Sequence, residues 1–130
     1  MEGTPRLHRG PRAGDRLPDA TVTHAGTSLS LQRAVVGPHF SALLCGDASW
    51  DDTEITALAR RHAGVLRIYR INSREGDLQA NQDLLERLSA EPAAQYLVRP
   101  DGYIAFRCGG ANLGGLTGYL ARWMNTPARG

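Results

Sequence analysis

Apolar and polar residues change rhythm along the chain in a way that predicts alternating strands and helices. Ala20-Thr21-Val22-Thr23-His24 and Thr27-Ser28-Leu29-Ser30-Leu31 alternate with period two around Ala25-Gly26, the pattern of a short hairpin. After Gly37-Pro38, the run His39-Phe40-Ser41-Ala42-Leu43-Leu44-Cys45 is mostly apolar, as in a central strand covered on both faces. Ser49 can cap a following helix. Asp51, Asp52 and Glu54 suit its positive end, and Ile55, Leu58, Ala59 and His62 recur at helical spacing until Gly64. Residues 65–71 alternate again as a strand, and Asp77 to about Ser89 reads as a helix burying Leu78, Leu85 and Leu88. Gln95-Tyr96-Leu97-Val98-Arg99 and Tyr103-Ile104-Ala105-Phe106-Arg107 flank Pro100-Asp101-Gly102, the strongest hairpin signal in the chain. Leu113, Leu116, Leu120, Trp123 and Met124 mark one face of a closing helix.

The order is ββ, then βαβα, then ββα. A right-handed βαβ crossover sets two strands parallel, and the closing hairpin adds two antiparallel ones. The expected class is therefore α/β: a thioredoxin-like central mixed sheet with helices on both faces and an N-terminal β-hairpin. Pro5, Pro11, Gly3, Gly10 and Gly14 make residues 1–15 read as a flexible leader, with the domain over 16–125 and a tail over 126–130.

A length of 130 residues fits one domain, which buries roughly two thirds of its unfolded surface without needing a disulfide. No apolar run approaches the ~20 residues of a membrane span, and the N-terminus lacks a signal-peptide core, so a cytoplasmic location and no membrane partner are expected. The 15 basic residues, all arginine, against 13 acids give a net charge of +2. Scattered as they are, they offer little to a polyanion, and no nucleic-acid partner is expected.

Candidate chemistry centres on Cys45. A thioredoxin-like dithiol follows the first core strand at a helix N-terminus, where the dipole lowers the thiol pKa. Cys45-Gly46-Asp47-Ala48 carries no second cysteine at that spacing, and the thiol precedes the expected cap at Ser49. A one-cysteine peroxiredoxin-like site wants a hydroxyl three residues earlier, where Ala42 stands, although Pro38 has the right spacing. Cys45 is thus expected to be a buried apolar residue. Cys108 ends the last strand at the same end of the sheet, one strand away and roughly 9–10 Å from Cys45, so two free thiols are expected. Counting back from the Asp101-Gly102 turn puts the substrate-holding cis-proline position of that fold at about Ala94, expected trans, with Pro92 two residues early.

Gly109-Gly110-Ala111-Asn112-Leu113-Gly114-Gly115 matches neither dinucleotide nor P-loop spacing, so a turn is preferred there to a small-ligand cleft. His8, His24, His39 and His62 are dispersed, and no metal is expected. Ser41 and Ser49 lack a nucleophile elbow. Trp50, Trp123 and Tyr103 read as core or interface aromatics.

Three stretches carry a resemblance. Pro11-Arg12-Ala13-Gly14-Asp15-Arg16-Leu17-Pro18-Asp19-Ala20, His39-Phe40-Ser41-Ala42-Leu43-Leu44, and above all Tyr96-Leu97-Val98-Arg99-Pro100-Asp101-Gly102-Tyr103-Ile104-Ala105-Phe106-Arg107 resemble the C-terminal thioredoxin-like domain of FAD-dependent aromatic hydroxylases, the class of phenol and polyketide hydroxylases. The likeness runs from about Pro11 to Met124. It implies a domain without thioredoxin chemistry. FAD and NAD(P)H would belong to preceding domains, leaving no cofactor and no catalytic residue here. The implied partner is a flavoprotein monooxygenase body or a second copy of the chain, met through an exposed apolar patch. By the same resemblance Leu97 and Val98 are core, Pro100, Asp101 and Gly102 form the turn, and Arg99 and Arg107 make cross-strand or interdomain contacts.

Overall fold

A computed structural model describes residues 10–72, 77–88 and 93–123. Strands β1 (Thr21–His24), β2 (Thr27–Ser30), β3 (Phe40–Cys45), β4 (Leu66–Asn72), β5 (Leu78–Gln79), β6 (Ala94–Val98) and β7 (Ile104–Gly109) form one mixed sheet in the order β2-β1-β5-β4-β3-β6-β7. β3 and β4 are parallel, as are β4 and β5, whereas β3–β6, β6–β7 and the β1–β2 hairpin are antiparallel. β3, expected at the centre, lies beside the middle strand β4 with neighbours on both sides.

The pleat sorts the core into two layers. Leu43 and Cys45 of β3 and Ala94, Tyr96 and Val98 of β6 face one layer, closed by Leu31 and Val35 of helix α1 (Leu31–Val35) and by Leu84 and Leu85 of α3 (Gln82–Arg87). Ala42, Leu44 and Leu97 face the other, closed by Leu58 of α2 (Asp52–Arg61) and Leu116 and Leu120 of α4 (Gly114–Trp123). Helices on both faces of a mixed sheet are the α/β arrangement that the strand order implied.

Four local expectations need correction. The helix expected over 77–89 begins as strand: Leu78 pairs with Ile71 and Gln79 with Asn72, and Asn81 then caps α3 by accepting from the Leu84 amide at 2.9 Å. Leu78, Leu85 and Leu88 are buried there all the same. The cap of α2 is Asp51, whose Oδ1 accepts from the Thr53 and Glu54 amides, and Ser49 lies outside the helix. Leu31 starts α1 instead of ending β2, because Ser30 accepts from the Arg33 amide and turns the chain; five residues are too few to show a helical period. Finally, the leader expected over 1–15 is anchored from Gly10 onward. Gly14 N–H donates to the Ile104 carbonyl, Ile104 N–H to the Asp15 carbonyl, and Arg107 Nη1 to the Gly10 and Pro11 carbonyls. Residues 1–9, Pro92, Met124 and the expected tail lie outside the described residues.

Candidate functional site

In a thioredoxin-like sheet the place for chemistry is the C-terminal end of β3, where Cys45 stands. Cys45 is fully buried, and Ala94, the position counted back from the hairpin turn, is its direct partner across the β3–β6 ladder. The thiol lies in the α1/α3 layer, whereas the segment that follows it, with Ala48 and Trp50, packs into the α2/α4 layer. Five residues separate Cys45 from the Asp51 cap, so the positive end of α2 is remote, and its amides are already held by a carboxylate. Burial pushes the Cys45 thiol far above its ordinary value. Ala42, where a peroxidatic hydroxyl would be wanted, faces the opposite layer from Cys45. The Tyr96 hydroxyl, raised chiefly by burial and then by Cys45, donates to the Leu88 carbonyl at 2.7 Å.

Cys45 and Cys108 are both free. β6 lies between their strands, as the spacing argument held, and the pleat adds a second separation. Cys108 pairs with Gln95, which pairs with Leu44, placing Cys108 on the α2/α4 face and Cys45 on the other. Replacing Ala48 to complete a Cys-x-x-Cys spacing tests this geometry. The Ala48→Cys chain is expected to gain one readily titratable thiol and no disulfide to Cys45, as thiol counting with and without reductant will report.

The glycine-rich segment 109–115 carries the chain from the end of β7 through a turn into the start of α4, and the turn is held by side chains. Gln95 Nε2 donates to the Gly110 and Asn112 carbonyls at 2.8 and 2.9 Å, and Asn112 Oδ1 accepts the Gly114 amide at the start of α4. The first amide a phosphate would seek is already taken. Gln95 is fully buried and its Oε1 has no partner among the described residues. Sequence reasoning missed this residue, since a lone Gln in an apolar strand gives no periodic signal.

The hairpin residues fall as follows. Leu97 and Val98 are fully buried. Gly102 adopts φ +91°, Gly102 N–H donates to the Arg99 carbonyl, and Asp101 Oδ1 accepts the Tyr103 amide. Pro100 stands in the same turn. Arg99 pairs with Asp101, and Arg99 and Arg16 both lie over the Tyr103 ring, 5.9 and 5.8 Å from its centroid. Arg107 binds the chain's own segment at Gly10 and Pro11. Ser41 donates its hydroxyl to the Val35 carbonyl at 2.7 Å. Trp50 is buried with its indole N–H on the Gly46 carbonyl, whereas Trp123, 67% exposed, ends a ladder through Tyr119 to Phe106. Among the described residues no cluster of three His, Cys, Asp or Glu could hold a metal, and no helix is long and apolar enough to cross a membrane.

Layers, strand order and the position of Cys45 opposite Ala94 define a thioredoxin-like domain. Solved structures agree: a thiol peroxidase from Chromobacterium violaceum aligns with TM-score 0.64 at 13% identity, covering 92% of this chain and 91% of that one, a likeness of fold alone. The sequence places it further. Residues 10–127 match the family model "Aromatic-ring hydroxylase, C-terminal", and the chain belongs to that family. It is similar to part of aklavinone-11 hydroxylase, solved with FAD and aklavinone (27% identity, TM-score 0.65, 82% of this chain and 20% of that one). It is also similar to part of the flavin-dependent monooxygenase PieE, solved with FAD and substrate (26% identity, TM-score 0.65, 97% and 24%). The chain thus spans between a fifth and a quarter of those two proteins. No curated protein matches it in sequence.

Proposed function

We propose that the chain is a non-catalytic thioredoxin-like domain that packs against the FAD-containing body of an aromatic monooxygenase, with FAD, NAD(P)H and the aromatic substrate held by that body. The observation that carries this reading is the sealed position of Cys45, fully buried in the α1/α3 layer at the place where a thioredoxin-like enzyme keeps its reactive thiol. A thiolate there would be stranded in low dielectric without a cation or helix end to stabilise it. Family membership supports such a body as the partner, and the two-thirds-exposed Trp123 offers apolar surface for contact.

The test mixes the purified chain with the FAD-containing bodies of aklavinone-11 hydroxylase and PieE, each made without its own matching segment. Co-elution of the chain with flavin absorbance is expected, with no turnover of peroxide or of a disulfide by the chain alone. Catalytic turnover by the chain, or concentration-dependent self-association without affinity for either body, would overturn the reading.

A further inference from the structure

β4 is bonded to β3 along nearly its whole length, from Leu66 opposite Phe40 to Ile71 opposite Cys45, but on its other side β5 covers only Ile71 and Asn72. Backbone groups alternate in direction along a strand. The Val65 and Ile71 carbonyls accept from Phe40 and Gly46 and so point towards β3, whereas the Asn72 carbonyl accepts from Ala80 and points outward. By the same alternation Leu66, Ile68 and Arg70 present their groups to the outer edge. Leu66 N–H is taken by the His62 carbonyl, and Arg70 N–H donates to the Asp77 carboxylate at 2.8 Å. The N–H and C=O of Ile68, with the Leu66 carbonyl, are left without a strand partner among the described residues.

That edge opens on a groove of about 580 Å³ whose floor and wall include Ile55, Ala59, Ala63, Leu66, Ile68 and Leu78. Arg60 and Arg67 also line it, without an acidic partner among the described residues, whereas Asp77, the acid in the lining, already accepts the Arg70 amide. Charged edge residues commonly guard a strand against unwanted pairing. Guarding alone does not account for an apolar groove beside the unpaired groups.

We propose that residues 66–70 of β4 take up an extended segment of the flavoprotein body as an added strand, apolar where its side chains enter the groove and acidic beside Arg60 and Arg67. The source of the segment rests on the reading given above. Five residues of edge span about 16 Å, room for a strand of similar length. A second copy of this chain is the poorer occupant, because pairing β4 with β4 would bring two sets of Arg60 and Arg67 together.

The experiment uses the full chain, nitrogen-15 labelled, with two blocked octapeptides as probes, one alternating valine with glutamate and one alternating valine with lysine. In the free chain the Ile68 amide should exchange faster than that of Tyr69, which faces β3. Millimolar valine–glutamate peptide is expected to slow Ile68 exchange at least about tenfold and to shift signals around Ile55, Ile68 and Leu78, while the lysine peptide does neither. The double variant Arg60→Glu, Arg67→Glu should exchange the preference between the peptides. Protection of Ile68 without peptide, equal response to both peptides, or shifts centred elsewhere would overturn the proposal. Undiminished binding of the flavoprotein body by the double variant would overturn the edge while leaving the body as partner. Peptide binding by a chain that ignores both bodies would instead overturn the flavoprotein as source.

Discussion

Both thiols of the native chain are expected to react with an aromatic disulfide reagent at neutral pH at least about a thousandfold more slowly than the same thiols in denaturant, since reaction must await an opening that costs about 4 kcal/mol or more. Two effects act in the same direction. Cys45 and Cys108 are 0% and 2% exposed, so the reagent cannot reach sulfur in the closed state. Burial also raises both pKa values, Cys108 to about 11, so even at pH 8 roughly one Cys108 in a thousand would be a thiolate. For Cys45 the rise is larger, and no cation or helix amide offsets it. The measurement is a stopped-flow trace of reagent release with and without denaturant, followed by mass spectrometry of the labelled peptides. Cys108, the less raised of the two, should be labelled first. Fast labelling of Cys45 in the folded chain would remove the argument for a silent domain and restore a one-cysteine redox site.

How far the sequence reveals this arrangement depends on the range of the interaction that fixes each element. The β6–β7 hairpin was legible because Pro100-Asp101-Gly102 encodes its turn locally, and β3 because a strand covered on both faces must be apolar throughout. Helices α2 and α4 were legible from their single apolar faces. β5 was not. Two residues carry no period, and Leu78 joins the sheet because β4 offers a free edge there, a fact about a strand six residues earlier in the chain. The same holds for the anchoring of residues 10–17, which depends on Arg107, Gly102 and Ile104 far along the chain. At the candidate site the missing partner thiol was visible as a spacing. The opposite facing of Cys45 and Cys108 needed the observed register, because a shift of one residue of β7 against β6 would have put both on one face. The open Ile68 edge depends likewise on where β5 stops.

Gln95 is where substitution can separate packing from hydrogen bonding. It stands between Leu44 and Cys108 in the row beside Cys45, and its amide nitrogen ties two carbonyls of the turn that launches α4. Gln95→Ala is expected to cost about 3 kcal/mol, combining a cavity in the α2/α4 layer with the loss of two hydrogen bonds. Gln95→Leu separates the two contributions. Leucine nearly restores the volume and removes the unpartnered Oε1, and the two carbonyls it leaves belong to a half-buried Gly110 and an exposed Asn112, so its cost should be only about 1 kcal/mol. Urea denaturation of the three proteins measures the difference. Amide exchange should show Gly110 to Gly114 loosening in both variants, because both release the turn. If leucine proves as costly as alanine, the hydrogen bonds dominate and Gln95 is a clamp on α4 whose packing is incidental. If it proves nearly neutral, the residue serves mainly to fill the layer beneath α4, and the turn is held by Asn112 on the Gly114 amide.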